Sequence, residues 1–269
     1  MSTGQPQSVG TLLRDWRQRR RMSQLDLACE AEISTRHLSF LETGRSQPSR
    51  DMLLHLAERL EVPLRERNAL LVAAGFAPMY RQRSLDDPAL ASARRAVDLV
   101  LKGHEPFPAL AVDRHWNLVA HNALVPMLMA GAAPELVQAP INVLRLSLHP
   151  DGLASRIANL AQWRAHLLER LQQQIAATGD AVLQALHDEL EAYPTPSVSH
   201  DAPAANAELS GVVVPFQLVT PNGVLSFIST TTIFGTPVDV TLQELAVESF
   251  FPADAQTAAA LTALAAQPT

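Results

Sequence analysis

Between Ser23 and Arg50 the chain sets out Gln24, Thr35, Arg36, Ser39, Phe40, Arg45 and Arg50, an amide, two hydroxyls, three guanidiniums and an aromatic ring within one short stretch. The chemistry open to such a set is recognition of a nucleic-acid duplex. A guanidinium reaches O6 and N7 of guanine, a hydroxyl reaches a base edge or a phosphate, and a ring meets a thymine methyl. Each residue also has a plain reading: Arg36 as a solvated helix charge, Phe40 as core, Arg45 and Arg50 as surface cations.

The duplex reading requires two helices that hold these groups on one side. Ser23 suits an N-cap, and Asp26 three residues on completes a capping-box-like pair, so a helix is expected to begin there. Leu27, Ala28 and Ala31 repeat at helical spacing and are small enough for close packing. A turn at Glu32-Ile33 and a second cap at Ser34 lead into a recognition helix over about Thr35 to Thr43. There Leu38 and Leu41 share an inner face with Ile33 nearby, and Thr35, Arg36, Ser39 and Phe40 project elsewhere.

These residues resemble the XRE, or Cro/C1-type, helix-turn-helix regulators. The resemblance implies that Gln24 holds a phosphate, that Thr35 and Arg36 contact bases, and that the Gly44-Arg45 pair touches the DNA backbone. The sequence departs from the family pattern at Glu32, where the general pattern has Gly. A non-glycine residue at positive φ costs roughly 1–2 kcal/mol, which leaves either a strained turn or an altered one.

A chain of 269 residues has room for two domains. Charge divides it the same way: residues 1–83 hold 13 Lys+Arg and 9 Asp+Glu, a net of +4, whereas the remainder holds 8 and 18, a net of −10. Only the first part suits a polyanion, although the whole carries −6. Cys29 is the single cysteine, so no internal disulfide is possible and no oxidising compartment is required. The opening MSTGQPQSVG lacks a signal-peptide layout, and no apolar run reaches the roughly 18 to 20 residues of a membrane span, so a soluble cytoplasmic protein is expected.

The rest of the chain is expected as follows. Helix 1 covers about Val9 to Arg21 with Leu12, Leu13 and Trp16 inward; Arg17, Arg19, Arg20 and Arg21 at its end either complement the helix dipole or approach DNA. Helix 4 covers about Ser49 to Leu60, and helix 5 about Pro63 to Ala74, stopped by Gly75. A connecting helix covers Asp87 to Lys102. PALAVD and HWNLVAHN read as short strands joined at Arg114-His115, with Asn122 capping a helix that reaches Met129. Leu153 to Ala192 reads as helical, interrupted at Thr178-Gly179-Asp180. Strands over Gly211 to Thr220 and Val224 to Ile233 meet at Pro221-Asn222-Gly223, and a helix from about Leu242 with an alanine-rich tail ends the chain.

The fold class expected is α+β: a five-helix helix-turn-helix domain over residues 1–80, a linker and connecting helix over 81–105, and an antiparallel sheet domain with covering helices over 106–269. PALAVDRHWNLVAHNA, INVLRLSLHPDG, IANLAQWRAHL and FISTTTIFGTPVDVTLQELAVESFFP resemble the ligand-binding region of MmyB-like regulators, which implies a PAS-like pocket for an apolar small molecule, a fatty acid among the candidates. Apolar walls with one or two polar anchors suit that ligand. Val112, Trp116, Leu118, Leu144, Leu146, Trp163, Leu167, Phe216, Leu218 and Phe227 are candidate walls, each with ordinary core as its alternative, and His149, Arg164 or His166 are candidate partners for a carboxylate. His115 and His121 lie close together without the Cys or carboxylate spacing of a zinc or iron site. No nucleophile elbow, phosphate loop or HExxH signature is present, so neither a metal nor an enzyme is expected. Partners expected are double-stranded DNA, an apolar effector and a second copy of the chain, with no membrane. The alternative is a regulator whose C-terminal domain only dimerises or binds a protein, without a small ligand.

Overall fold

The computed structural model describes residues 7–85, 87–194, 213–234 and 239–266. Within these bounds one compact unit comprises residues up to 84 with 239–243, and a second comprises residues 85–234 with 244–266. The sequence-drawn linker therefore divides differently, because residues 91–103 form a helix that packs into the second unit.

The first unit contains α1 (Val9–Arg19), α2 (Gln24–Glu30), α3 (Thr35–Glu42), α4 (Arg50–Arg59) and α5 (Leu64–Ala73). Four starts are fixed by serine: Ser8, Ser23, Ser34 and Ser49 each accept a hydrogen bond from a backbone N–H in the first turn, and Ser23 with Asp26 closes a full capping box. Leu13, Trp16, Leu27, Leu38, Leu41, Leu53, Leu56 and Leu70 form its core. A Cβ on Gly10 would lie 2.4 Å from the Leu41 carbonyl oxygen, so only glycine lets α1 meet α3 this closely. Glu32 has φ 54°, a left-handed conformation that glycine adopts most readily, and Ile33 N donates to Ala28 O across the turn at 3.0 Å. The short α11 (Val240–Gln243) joins this unit, with Gln243 Oε1 accepting from Leu64 N at 2.7 Å.

The second unit contains α6 (Ala91–Gly103), β1 (Ala109–Val112), β2 (Leu118–His121), α7 (Val125–Met129), α8 (Val143–Leu148), α9 (Leu160–Thr178), α10 (Ala181–Ala192), β3 (Phe216–Thr220), β4 (Gly223–Ile233), β5 (Ala246–Pro252) and α12 (Ala255–Ala265). Its five strands form an antiparallel sheet in the order β2-β1-β5-β4-β3. One face, with Ala109, Ala111 and Val247, packs on Val97 and Leu101 of α6. The other, with Leu110, Val112, Phe216, Leu218 and Phe227, packs on α8, α9 and α10.

Three expectations need correction. The helix read from Leu242 is instead α11 followed by β5, the central strand, which pairs Ala109–Val112 on one side and Phe227–Ile233 on the other. Glu248 broke the apolar alternation that would have marked the strand. Residues 153–159 are not α-helical: a 3-10 turn at Ala154–Arg156 leads to Ile157, which bridges to Leu218, before α9 begins. Asn122 is a buried hub more than a cap: it accepts from Ala109 N and Leu124 N and donates to Leu101 O and Phe107 O. Residues 211–212 of the strand expected over Gly211 to Thr220 lie outside the described residues.

Candidate functional site

In the first unit the exposed side of α3 collects the candidate groups. Leu38 and Leu41 turn inward and are fully buried, which leaves Arg36 exposed and Thr35, Ser39 and Phe40 half-buried. Phe40 lies between two cations: the Arg36 guanidinium sits 5.3 Å from the ring centroid and that of Arg45 5.8 Å. The ring is thus a surface platform, neither core nor free, and each cation–π contact contributes about 0.5–1 kcal/mol when exposed. Arg45 follows Gly44, whose φ of 73° turns the chain after the helix. Arg50 is exposed at the first position of α4.

Behind this surface a buried ion pair holds the helices. Arg17 donates to both carboxylate oxygens of Glu42 at 2.6 and 2.9 Å and to Met22 O at 2.8 Å. Gln24 Nε2 donates to Glu42 Oε2 at 2.8 Å, so its amide is oriented by Glu42 and one amide hydrogen is committed there. Burial pushes the Glu42 carboxyl up, yet the hydrogen bonds from Arg17 and Gln24 outweigh it and hold the group below the ordinary carboxylate range. The arginine run at the end of α1 does not act as one group. Arg17 is buried in this pair, Arg20 donates to Leu60 O and Glu61 O, and Arg19 and Arg20 both lie over the Trp16 ring.

In the second unit an apolar cavity of about 90 Å³ lies between the sheet and α7, α8 and α9. Of the residues singled out from sequence, Trp116, Leu118, Leu144, Leu146, Trp163, Leu167 and Phe216 line it. Trp116 holds a φ of 68° in the β1–β2 turn, where Trp116 N donates to Asp113 O at 3.0 Å. Its indole N–H donates to Gln174 Oε1 at 2.9 Å, and Gln174 Nε2 donates to Arg114 O at 3.0 Å, which pins the strained turn to α9. Trp163 donates to Ser147 Oγ at 3.0 Å and its ring lies 5.1 Å from that of Phe216. A second, more open groove of about 610 Å³ runs between α7, the β3–β4 hairpin and α12, and Leu128 borders both.

The other sequence-derived candidates fall elsewhere. Val112 and Phe227 are core, and Leu218 is core beside the second groove. Arg164 is not at the cavity, because its guanidinium donates to Leu190 O, Glu191 O and Tyr193 O at the end of α10. His149 packs edge-on to Tyr193, and His166 lies beside Trp163 at 5.5 Å; neither lines the cavity. Burial and nearby Arg170 hold the His166 imidazole below its ordinary value.

The charged residues that line it are Arg170 and Glu248, neither of which stood out in the sequence. Arg170 is one of several arginines on polar helices, and Glu248 belongs to the strand read as helix. An acid set among the apolar residues of AVESFF is the one signal the sequence offers for Glu248. His115 meets Asp180 at 2.9 Å, while Arg114 lies 3.6 Å from both Asp180 and Glu244. Among the described residues no group of three or more His, Cys, Asp or Glu is placed to hold a metal ion, and no helix is long and apolar enough to cross a membrane.

Comparison with known families adds two matches. Residues 93–264 match the model of the MmyB-like transcription regulator ligand binding domain, and residues 8–70 match that of a helix-turn-helix domain. The curated proteins contain no match to the chain.

Proposed function

From the premise that this chain belongs to the MmyB-like transcription regulators, we propose that it reads DNA sequence through the exposed side of α3 as a homodimer and answers to an apolar small molecule held in the cavity beside Trp116 and Trp163. The family matches speak for a DNA-binding regulator and not an enzyme. The observation that carries the DNA assignment is the Arg36–Phe40–Arg45 cluster, presented outward by a helix whose opposite face is buried. Arg36 is the base reader and Arg45 the phosphate contact. Dimerisation follows from the recognition mode, since paired helices reach half-sites about 34 Å apart, one turn of duplex.

The effector assignment rests on the apolar walls, to which an acyl chain such as that of a fatty acid is suited. Ligand pockets measure roughly 300–1,000 Å³, so the cavity of about 90 Å³ admits such a body only as wall side chains move. Met129, unbranched and polarizable, is the adaptable member of that wall. An effector acts only through a difference in affinity between two states of the regulator.

Selection of bound sites from a random duplex library tests the DNA assignment. Arg36→Ala is expected to relax base preference, and Arg45→Ala to weaken all sequences alike with a salt slope lower by about 1. Equal losses in both variants would contradict the assigned roles. For the effector, native mass spectrometry of the purified protein is expected to show a bound apolar molecule; a bare mass at every concentration of added lipid extract would favour a purely dimerising second unit.

A further inference from the structure

The polar end of the cavity carries a sharper statement about the ligand. Glu248 is 4% exposed at the centre of the sheet. Both of its carboxylate oxygens accept from Arg170, at 2.6 and 3.2 Å, and Oε1 also accepts from Thr231 Oγ1 at 2.9 Å. Arg170 donates in addition to Thr231 Oγ1 at 2.5 Å and lays its guanidinium over the Trp116 ring at 4.6 Å. The cation is therefore engaged along its edge by a carboxylate and over its face by an indole, and the pair has no net charge.

We propose that this cavity selects a ligand with a neutral hydrogen-bonding head on an alkyl body, an alcohol, ester or amide, and rejects the carboxylate form of the corresponding acid. The inference rests on the reading that the cavity is the ligand site. A second carboxylate would set two negative charges against one positive in a space walled by apolar side chains, where repulsion is weakly screened and desolvation is uncompensated. A neutral head meets usable partners instead. Ser147 accepts from Trp163 through Oγ and keeps its own O–H to donate, and Ser229 lines the same space. The groups that would have served an acid, Arg164 and His149, point elsewhere.

The test compares 1-octanol, methyl octanoate and sodium octanoate at pH 8 by isothermal titration calorimetry on the full chain. Octanol and the ester are expected to bind at least tenfold more tightly than octanoate. Any apolar site disfavours an anion to some extent, so Glu248→Gln isolates the pair: it should narrow the gap at least tenfold, chiefly by strengthening octanoate. If circular dichroism shows that variant unfolded, Glu248→Asn, which also keeps an amide oxygen to accept from Arg170 while removing the negative charge, should narrow the gap likewise. Octanoate binding wild type as tightly as octanol, or a gap unchanged in the folded variants, overturns the head-group inference and leaves the cavity as the ligand site. Failure of all three probes to bind any form overturns both.

Discussion

Replacement of Glu42 by alanine should loosen the first unit far more than the loss of one surface charge would. The Glu42 side chain is 2% exposed and that of Arg17 10%, and the two share bonds of 2.6 and 2.9 Å. Removing the acid leaves a guanidinium buried without its counter-ion, and breaking a buried pair from one side costs about 3–5 kcal/mol. Set against a domain stability of about 5–15 kcal/mol, that is a large fraction. At about 1.4 kcal/mol per tenfold, amides of α1 to α3 should exchange with solvent roughly 100- to several-thousand-fold faster. Hydrogen exchange read by mass spectrometry checks this, with sheet peptides of the second unit as the internal reference. The double variant Arg17→Met with Glu42→Leu removes both charges and should return to within about 1 kcal/mol of wild type. If it exchanges as fast as Glu42→Ala, the loss comes from shape and the charge argument is wrong. The pH dependence carries a sign as well. Because the folded state holds Glu42 below its ordinary value, its contribution is present above the ordinary carboxylate range and is lost as pH falls through the depressed folded value.

Three further outcomes follow from particular contacts. Phe40→Leu removes the platform under Arg36 and Arg45, and DNA affinity should fall about 3- to 30-fold with partial loss of base preference, as measured by fluorescence anisotropy. Gly10→Ala places a methyl against the Leu41 carbonyl and should destabilise the first unit by about 1–3 kcal/mol, visible as a lowered melting temperature of that unit alone. His166 is held below its ordinary value, so the second unit favours the neutral imidazole; its contribution is complete above about pH 6.5 and declines as pH falls toward the folded value. The urea midpoint of that unit should therefore fall as pH is lowered from 8 to 5 in wild type, and fall less in His166→Gln.

Much of the first unit was legible because its instructions are local. Ser23 with Asp26, Ser34 and Ser49 start helices through bonds that span three residues, and the spacing of Leu38 and Leu41 sets which side of α3 faces inward. The deviation at Glu32 was equally visible, and the turn does adopt a positive φ. The partnership of Arg17 with Glu42 spans 25 residues, and nothing in the run of arginines separated Arg17 from its neighbours.

In the second unit the turn at Pro221-Asn222-Gly223 marked the β3–β4 hairpin, and of the candidate walls that the MmyB-like resemblance suggested, seven line the cavity; the candidate anchors Arg164 and His149 lie elsewhere, and Arg170 and Glu248 were not singled out. Whether a helical arginine faces a cavity or the carbonyls of the next helix depends on where α10 docks, a relation over 26 to 29 residues that no local pattern encodes. The sequence by itself determined the two-part organisation, the charge division and the outward side of α3, since short-range capping and spacing decide these. Tertiary structure alone decided that β5 lies at the centre of the sheet and that Glu248 closes on Arg170, because the partners of a strand and of a buried charge are chosen by distant segments competing for the same backbone and counter-ion.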